Sequence, residues 1–259
     1  LARLMRGEDL SYDEAADFFW ALTAQDADPL QIAASLAALT AKGETFEELA
    51  GMASVMRRNT VPMRPTNKKA VDITGTGSSP AKTFNVSTAA AFVAAGAGLT
   101  VAKQSNRGVM SSSGSADILK ELGVKLAAEP GPVQAGLSGM GLSFLFPPKF
   151  HPTLLNVAAV KRKLGIRTCL NVLGLLANPV RVSGQLVGVW HRSLVLPVAK
   201  ALALLKTPRA WVVHGSDGLD EITLTGGTGV VELNGENIRH FKLTPNDFGL
   251  KSGKIDHLR

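Results

Sequence analysis

Glycines and small hydroxyl side chains gather in one segment whose residue types can bind phosphate. Gly75-Thr76-Gly77-Ser78-Ser79 follows the β-prone run 71–74, and Asn85, Ser87 and Thr88 open a predicted helix. Glycine lets the backbone turn sharply and approach an anion, and the first turn of a helix offers unpaired N–H donors. The pattern predicts an anion site, although an ordinary turn with capping hydroxyls has the same composition.

A second segment with basic and hydroxyl groups follows the next predicted strand. It reads Lys103-Gln104-Ser105-Asn106-Arg107-Gly108, and Ser111 to Ser113 and Ser115 continue it. Lys103 and Arg107 can neutralise phosphate, and arginine offers a planar fork of donors. A solvated serine loop is the alternative. Because open parallel sheets bind ligands at the carboxyl ends of their strands, the position of both segments favours an anion site.

A third segment, Asp217-Gly218-Leu219-Asp220-Glu221, is acidic and follows a strand that is predicted to end at Val213. Adjacent carboxylates repel each other unless they are solvated or bridged by a cation. Magnesium typically takes one or two carboxylates together with substrate phosphates and waters. Asp220 and Glu221 are therefore candidate magnesium ligands, and an acidic surface turn is the alternative.

Three short helices are predicted in the first sixty residues. Each begins with an N-terminal signal: a capping box of Ser11 and Glu14, Asp28 before Pro29, and a capping box of Thr45 and Glu48. The helices are expected to end near Ala24, Gly43 and Arg58, and residues 60–67 read as a linker.

From Lys69 onward, short β-prone runs alternate with helical stretches. Strands are expected at 71–74, 99–102, 142–145, 185–189 and 210–213, with helices at 86–97 and 115–122. This alternation predicts an α/β fold with a mostly parallel central sheet flanked by helices. We predict a small all-helical domain at 1–64, joined by a returning helix near 152–165, and an α/β domain at 65–259.

Composition narrows the class of protein. The chain has 259 residues, 45% of them hydrophobic and 19% charged, which is typical of a globular protein with a substantial core. We expect no transmembrane helix, and no signal peptide at 1–9. Cys169 is the only cysteine, so an internal disulfide is impossible and the cytoplasm is the simplest compartment.

A net charge of +7 leaves three interpretations. A basic surface can bind nucleic acid, it can attract a small polyanion such as a sugar diphosphate, or surface lysines can simply accumulate. Because the sequence has no long basic run with interleaved aromatic residues, it argues against nucleic acid as a partner.

The order and spacing of the three segments resemble the anthranilate phosphoribosyltransferase family. That family carries G-T-G-G-D-G, N-x-S-T, K-H-G-N-R with a serine-rich S-G-S-A-D, and D-G-L-D-E. The corresponding residues here are 75–80, Asn85-Val86-Ser87-Thr88, 103–107, Gly114-Ser115-Ala116-Asp117 and 217–221. The likeness covers nearly the whole chain, including 7–10, 42–45, 146–152, 164–174 and 213–215.

The resemblance implies a nucleoside phosphorylase/phosphoribosyltransferase-like fold with its active site between the two domains, and a homodimer. The implied reaction joins anthranilate to phosphoribosyl pyrophosphate and releases pyrophosphate, in tryptophan biosynthesis. The donor would be held by Gly75, Ser78, Ser79, Thr83, Asn85, Val86, Ser87, Thr88, Lys103, Arg107, Ser111 and Ser115. Ser87, Asp220 and Glu221 would contact Mg²⁺, and Gly75, Asn106 and Lys161 would face anthranilate. An aromatic amine attacks as the neutral species, so no acid or base is assigned; His151 is the nearest candidate.

The sequence departs from the family pattern mainly near the acceptor. Ser79 and Pro80 stand for aspartate and glycine, Gln104 for histidine, and Lys161 for arginine. Two alternatives stay open: a related phosphoribosyltransferase or pyrimidine nucleoside phosphorylase with a different acceptor, or a non-enzymatic nucleic-acid-binding homologue. Family members continue with a further helical segment, so we expect either a fragment or a natural short form, and in a short form an apolar surface left open.

Overall fold

The computed structural model describes residues 1–63, 69–77, 83–106, 114–126 and 128–258. Its α-helices are α1 (Ala2–Met5), α2 (Tyr12–Leu22), α3 (Pro29–Lys42), α4 (Phe46–Arg58), α5 (Val86–Gly96), α6 (Ser115–Glu121), α7 (Pro130–Met140), α8 (Pro147–Phe150), α9 (Leu155–Leu164), α10 (Leu170–Leu176) and α11 (Val195–Leu204). Its strands are β1 (Ala70–Gly75), β2 (Thr100–Gln104), β3 (Leu142–Leu145), β4 (Gly184–Gly188), β5 (Arg209–Gly215), β6 (Thr228–Asn234) and β7 (Asn237–Leu243). Within this part of the chain, no helix has both the length and the apolar character that crossing a bilayer requires.

The amino-terminal helices begin where the capping signals predict. Ser11 and Thr45 each accept a hydrogen bond from the backbone N–H of the third residue of their helix. The glutamate side chain at that third position in turn accepts a hydrogen bond from the backbone N–H of the capping residue. Asp28 caps α3 through the N–H groups of Leu30 and Gln31. The three predicted helices are confirmed. The four-residue helix α1 was not predicted, because it carries no side-chain cap.

In the described residues, seven strands form one sheet in the order β3-β2-β1-β4-β5-β6-β7. The first five in this order are parallel, and β6 and β7 add an antiparallel hairpin at one edge. The prediction of a mostly parallel sheet is confirmed. The hairpin was missed, although Asn234 and Gly235 form the dipeptide that often marks such a turn.

One hydrophobic core extends from the helical bundle into the sheet. It includes Phe19, Leu36 and Met52 of the bundle together with Leu173 of α10 and Val187 of β4. Helix α9 packs against α3, so the predicted returning helix lies on the bundle. The bundle and this face of the sheet therefore share a single apolar interior.

Arg57, near the end of α4, joins the bundle to the α/β part. Its guanidinium donates to the carbonyls of Leu176 and Leu205, each at 2.7 Å, and to Thr207 Oγ1 at 3.1 Å. These two carbonyls lie at the carboxyl ends of α10 and α11, where helices carry partial negative charge. Burial lowers the pKa of Arg57 to about 10, so the side chain stays charged at neutral pH.

Candidate functional site

The glycine-rich turn after β1 contacts the acidic loop between β5 and β6. Thr76 Oγ1 donates to Asp220 Oδ2 at 2.7 Å, and the Gly77 N–H donates to the same oxygen at 2.9 Å. Gly77 has a φ of 62°, a conformation that favours glycine. These contacts bring the first and third segments together at the carboxyl ends of β1 and β5.

Glycine is required where β4 passes the acidic loop. A Cβ added at Gly188 would overlap the backbone oxygen of Asp220, far inside contact distance. A Cβ at Gly75 would lie 3.1 Å from Asp220 Oδ2. The absence of these two side chains lets the Asp220 backbone and carboxylate rest on the carboxyl ends of β1 and β4.

Glu221 lies at the amino end of α5. Burial raises the pKa of Glu221 to about 8, and the neighbouring Asp220 carboxylate adds to the rise. Lys103 and a hydrogen bond from the Ser87 backbone N–H act in the opposite direction. Two of the predicted magnesium ligands, Ser87 and Glu221, are thus neighbours. A carboxyl group whose negative charge is this unfavourable is one that a bound cation would stabilise.

Lys103 is a buried cation beside this carboxylate pair. Its Nζ donates to the Ile73 carbonyl at 2.8 Å. Burial lowers the pKa of Lys103, and the charges of Asp72, Glu221 and Asp220 oppose that change. Lys103, the predicted phosphate-binding lysine, therefore lies where its positive charge can offset the negative charges of Asp220 and Glu221.

A buried polar network lies beneath Lys103, and sequence reasoning missed it. Asp72 on β1 is fully buried and accepts hydrogen bonds from Asn178 Nδ2 at 2.8 Å and Gln185 Nε2 at 3.5 Å. Burial raises the pKa of Asp72, against the effect of the Asn178 hydrogen bond and of Lys103. An aspartate inside an apolar strand was the available signal, because a buried carboxylate needs partners.

The other predicted donor-binding residues that the structure describes lie at or near the amino ends of α5 and α6. Thr88 Oγ1 donates to Ser115 Oγ at 2.9 Å, and the Ala116 N–H donates to the Asn106 carbonyl at 3.1 Å. Asn85 is the residue before α5, Val86 is its first residue, and Thr83 lies half-buried ahead of them. Ser78, Ser79, Arg107 and Ser111 lie outside the described residues.

The predicted acceptor residues occupy different elements. Asn106 is exposed just after β2, whereas Lys161 is half-buried on α9. Burial lowers the pKa of Lys161, and the nearby Cys169 thiol acts in the opposite direction. In the described ranges, no hydrogen bond or ion pair joins the two. Gln104 and Ser105, which precede Asn106, are buried with side-chain polar atoms that have no hydrogen-bond partner there.

His151 is buried at the junction of the two parts. Burial lowers the pKa of its imidazole to about 4, although the Met56 and Ala177 carbonyls approach the ring and favour its charged form. Within the described part of the chain, neither ring nitrogen completes a hydrogen bond of ordinary geometry. This setting fits a structural histidine rather than a general base.

Both parts of the chain match models of a known protein family. Residues 1–60 match the helical bundle domain of a glycosyl transferase family, and residues 67–259 match the a/b domain of the same family. The chain is thus a member of a glycosyl transferase family, with a helical bundle domain followed by an a/b domain.

Relatives and solved structures narrow the class. An anthranilate phosphoribosyltransferase of Persephonella marina is 43% identical over all of this chain and 77% of its own length, and one of Moorella thermoacetica is 45% identical over all of this chain and 76% of its own. The chain belongs to the anthranilate phosphoribosyltransferase family.

Solved structures agree. The enzyme of Thermus thermophilus has a TM-score of 0.91 at 40% identity, over all of this chain and 77% of that one. The Saccharomyces cerevisiae enzyme in complex with PRPP and Mg has a TM-score of 0.82 at 29% identity, over 95% and 70% of the two chains. The predictions of the family, the transferase class and the fold are confirmed, and the magnesium prediction agrees with the metal in the Saccharomyces cerevisiae complex.

Proposed function

We propose that this chain transfers a phosphoribosyl group from phosphoribosyl pyrophosphate to anthranilate and releases pyrophosphate, the step that family members perform in tryptophan biosynthesis. The observation that carries this proposal is the pair of hydrogen bonds that Asp220 accepts from the glycine-rich turn, with Glu221 next to Ser87 at the start of α5. These contacts bring carboxylates, backbone N–H groups and hydroxyls to one edge of the sheet, which suits a magnesium-bound diphosphate.

The chemistry requires charge balance more than proton transfer. The neutral amine of anthranilate forms a bond to the anomeric carbon while the bond to the pyrophosphate oxygen breaks, and the amine proton is then lost. The proposed donor-binding residues are Gly75, Ser78, Ser79, Thr83, Asn85, Val86, Ser87, Thr88, Lys103, Arg107, Ser111 and Ser115. Lys103 offsets negative charge, and the start of α5 offers N–H donors to phosphate oxygens.

The carboxylate pair fits magnesium. Asp220 and Glu221 are adjacent oxygen donors, and burial together with Asp220 makes the charge on Glu221 unfavourable until a cation is present. We propose the Ser87 hydroxyl as a third oxygen ligand, because the backbone of this residue lies next to Glu221. Bound magnesium supplies electrophilic stabilisation of the departing pyrophosphate.

Calorimetric titration tests donor binding. Phosphoribosyl pyrophosphate should bind the unaltered chain in the presence of Mg²⁺, and binding should weaken at least about tenfold in Asp220→Asn and in Glu221→Gln, because each variant removes a charged metal ligand. Glu236→Gln, in the exposed β6–β7 turn, is the matched control and should bind normally. Absence of binding at millimolar donor, or equal binding in all variants, would overturn the proposal.

For the acceptor, we propose that Gly75, Asn106 and Lys161 face anthranilate, with Lys161 pairing with its carboxylate. Lysine presents a point charge, whereas arginine binds a carboxylate through two parallel hydrogen bonds. Lys161→Arg should therefore lower the KM for anthranilate, followed through the loss of anthranilate fluorescence, with little change in donor binding. An unchanged KM would remove Lys161 from the acceptor site.

A homodimer through the helical domain is also proposed. Met5, Trp20 and Leu30 of this domain are 73%, 55% and 80% exposed, which supports an interface there. Sedimentation should show a dimer that Leu30→Glu weakens, and a concentration-independent monomer would contradict it. A cytoplasmic location is supported by Cys169, a lone buried thiol, and fractionation of the source cells tests it.

A further inference from the structure

Asp217 closes the loop that carries Asp220 and Glu221. Its Oδ1 accepts a hydrogen bond from the Leu219 N–H at 3.1 Å. Its Oδ2 accepts hydrogen bonds from the hydroxyls of Thr223 at 2.5 Å and Thr225 at 2.6 Å. One carboxylate thus connects the stretch before the two metal-ligand candidates to the stretch after them.

The partners of Asp217 belong to its own loop. Burial opposes its ionisation, but the hydrogen bonds from Thr223, Thr225 and Leu219 outweigh that effect and hold the pKa of Asp217 below its usual value. The carboxylate is therefore charged at neutral pH, and hydrogen bonds to a charged oxygen are about twice as strong as neutral ones. Among the described residues it forms no ion pair, so its charge serves this loop alone.

Further contacts fix the later stretch of the loop. The Thr223 N–H donates to Thr228 Oγ1 at 2.9 Å, and the Thr225 N–H donates to Thr223 Oγ1 at 3.0 Å. Residue 215 must be glycine at this point, because a Cβ there would lie 2.5 Å from Asp217 Oδ1. The local sequence thus makes room for this carboxylate and supplies the hydroxyls that it binds.

We propose that Asp217 is a positioning residue for the reaction, holding the loop in the one conformation in which Asp220 meets Thr76 and Gly77 while Glu221 meets Ser87. This inference rests on the proposed function. Without the hydrogen bonds of Asp217, Asp220 and Glu221 would sample many conformations, and a cation would have to order them when it binds. Residues that orient metal ligands from behind typically change metal affinity 10- to 100-fold when altered.

The test compares variants that keep or remove the hydroxyl and the charge. Asp217→Asn keeps the shape but loses the charge, Thr225→Val removes one donor, and Thr225→Ser restores that donor. Calorimetric titration of Mg²⁺ into each protein with phosphoribosyl pyrophosphate should show an affinity loss of about 10- to 100-fold for Asp217→Asn. We expect a smaller loss for Thr225→Val and none for Thr225→Ser.

Two more measurements separate positioning from general stability. At saturating Mg²⁺, kcat of Asp217→Asn should recover to within about threefold, because the ligands themselves remain, and the KM for anthranilate should not change. Hydrogen exchange of the metal-free protein should accelerate in residues 216–227 and not in α2 to α4. If Asp217→Asn does not fold, the pair Thr225→Val and Thr225→Ser carries the comparison.

The outcomes are distinguishable. Unchanged Mg²⁺ affinity in folded Asp217→Asn, or equal affinity in Thr225→Val and Thr225→Ser, overturns the positioning role and leaves the proposed function intact. No magnesium-dependent donor binding in the unaltered chain overturns the proposed function, and the positioning role with it. Weaker Mg²⁺ binding with faster exchange confined to the loop is the expected result.

Discussion

Replacing Arg57 by methionine tests how the bundle is held on the α/β part. The change removes three hydrogen bonds from a charged donor, two of them to helix-end carbonyls. Hydrogen bonds to charged groups contribute about 1.5–3 kcal/mol each, so the loss is about 5–9 kcal/mol. Methionine keeps the apolar stem in place, so packing changes little.

A second effect opposes this loss. Burial lowers the pKa of Arg57 to about 10, which corresponds to about 3 kcal/mol of unfavourable charge burial that methionine no longer carries. The net destabilisation is therefore about 2–6 kcal/mol, a large share of the 5–15 kcal/mol that typically stabilises a protein. The free energy of unfolding of Arg57→Lys should lie between those of the unaltered protein and Arg57→Met, because an ammonium group cannot reach both carbonyls.

Urea unfolding, followed by circular dichroism, measures the difference. Arg58→Met is the matched control, since Arg58 is the next residue on α4 and is exposed. A free energy of unfolding for Arg57→Met within about 1 kcal/mol of that control would refute the reasoning, because charge burial would then cancel the hydrogen bonds.

Two further predictions follow from buried positions. The pKa of His151 is about 4 in the folded protein and about 6.5 in an unfolded chain. Its contribution to the free energy of unfolding is therefore complete above pH 6.5 and is lost as the pH falls through 4, by up to about 3 kcal/mol. His151→Gln should flatten the dependence of urea midpoints on pH between 6.5 and 4; an unchanged slope would exclude His151 as its source. Gly188→Ala should displace Asp220, destabilise the protein by about 1–3 kcal/mol or more, and abolish magnesium-dependent donor binding. Gly184→Ala on the same strand, where the nearest atom to an added Cβ is 3.9 Å away, should bind donor normally, and equal behaviour of the two alanine variants would contradict the close contact.

Local chemistry made much of the fold predictable. The capping residues Ser11, Asp28 and Thr45 act within their own helix, so sequence alone places three helix starts correctly. The strands of the parallel sheet followed from apolar runs next to glycine-rich turns. The β6–β7 hairpin was missed because no residue of β7 is buried and its Arg239, His240 and Lys242 are exposed, which weakens the apolar signal of that strand.

The site was predictable as segments but not as contacts. The sequence indicates that the turn at 75–77 and the loop at 217–221 follow strand ends, because both positions are read locally. It does not indicate that Thr76 binds Asp220, or that Asn178 binds Asp72, since these partners are 144 and 106 residues apart. Such pairings depend on strand order and register, which the complete sheet decides.

The interior that the bundle and the sheet share determines how the protein unfolds. Because Phe19, Met52, Leu173 and Val187 belong to one apolar cluster, separating the bundle would leave a bare hydrophobic surface on each piece. A denaturant concentration that unfolds the bundle should therefore also unfold the strand ends next to Asp220 and Glu221, in the same transition. Loss of helix signal and loss of donor binding should coincide along a single unfolding curve.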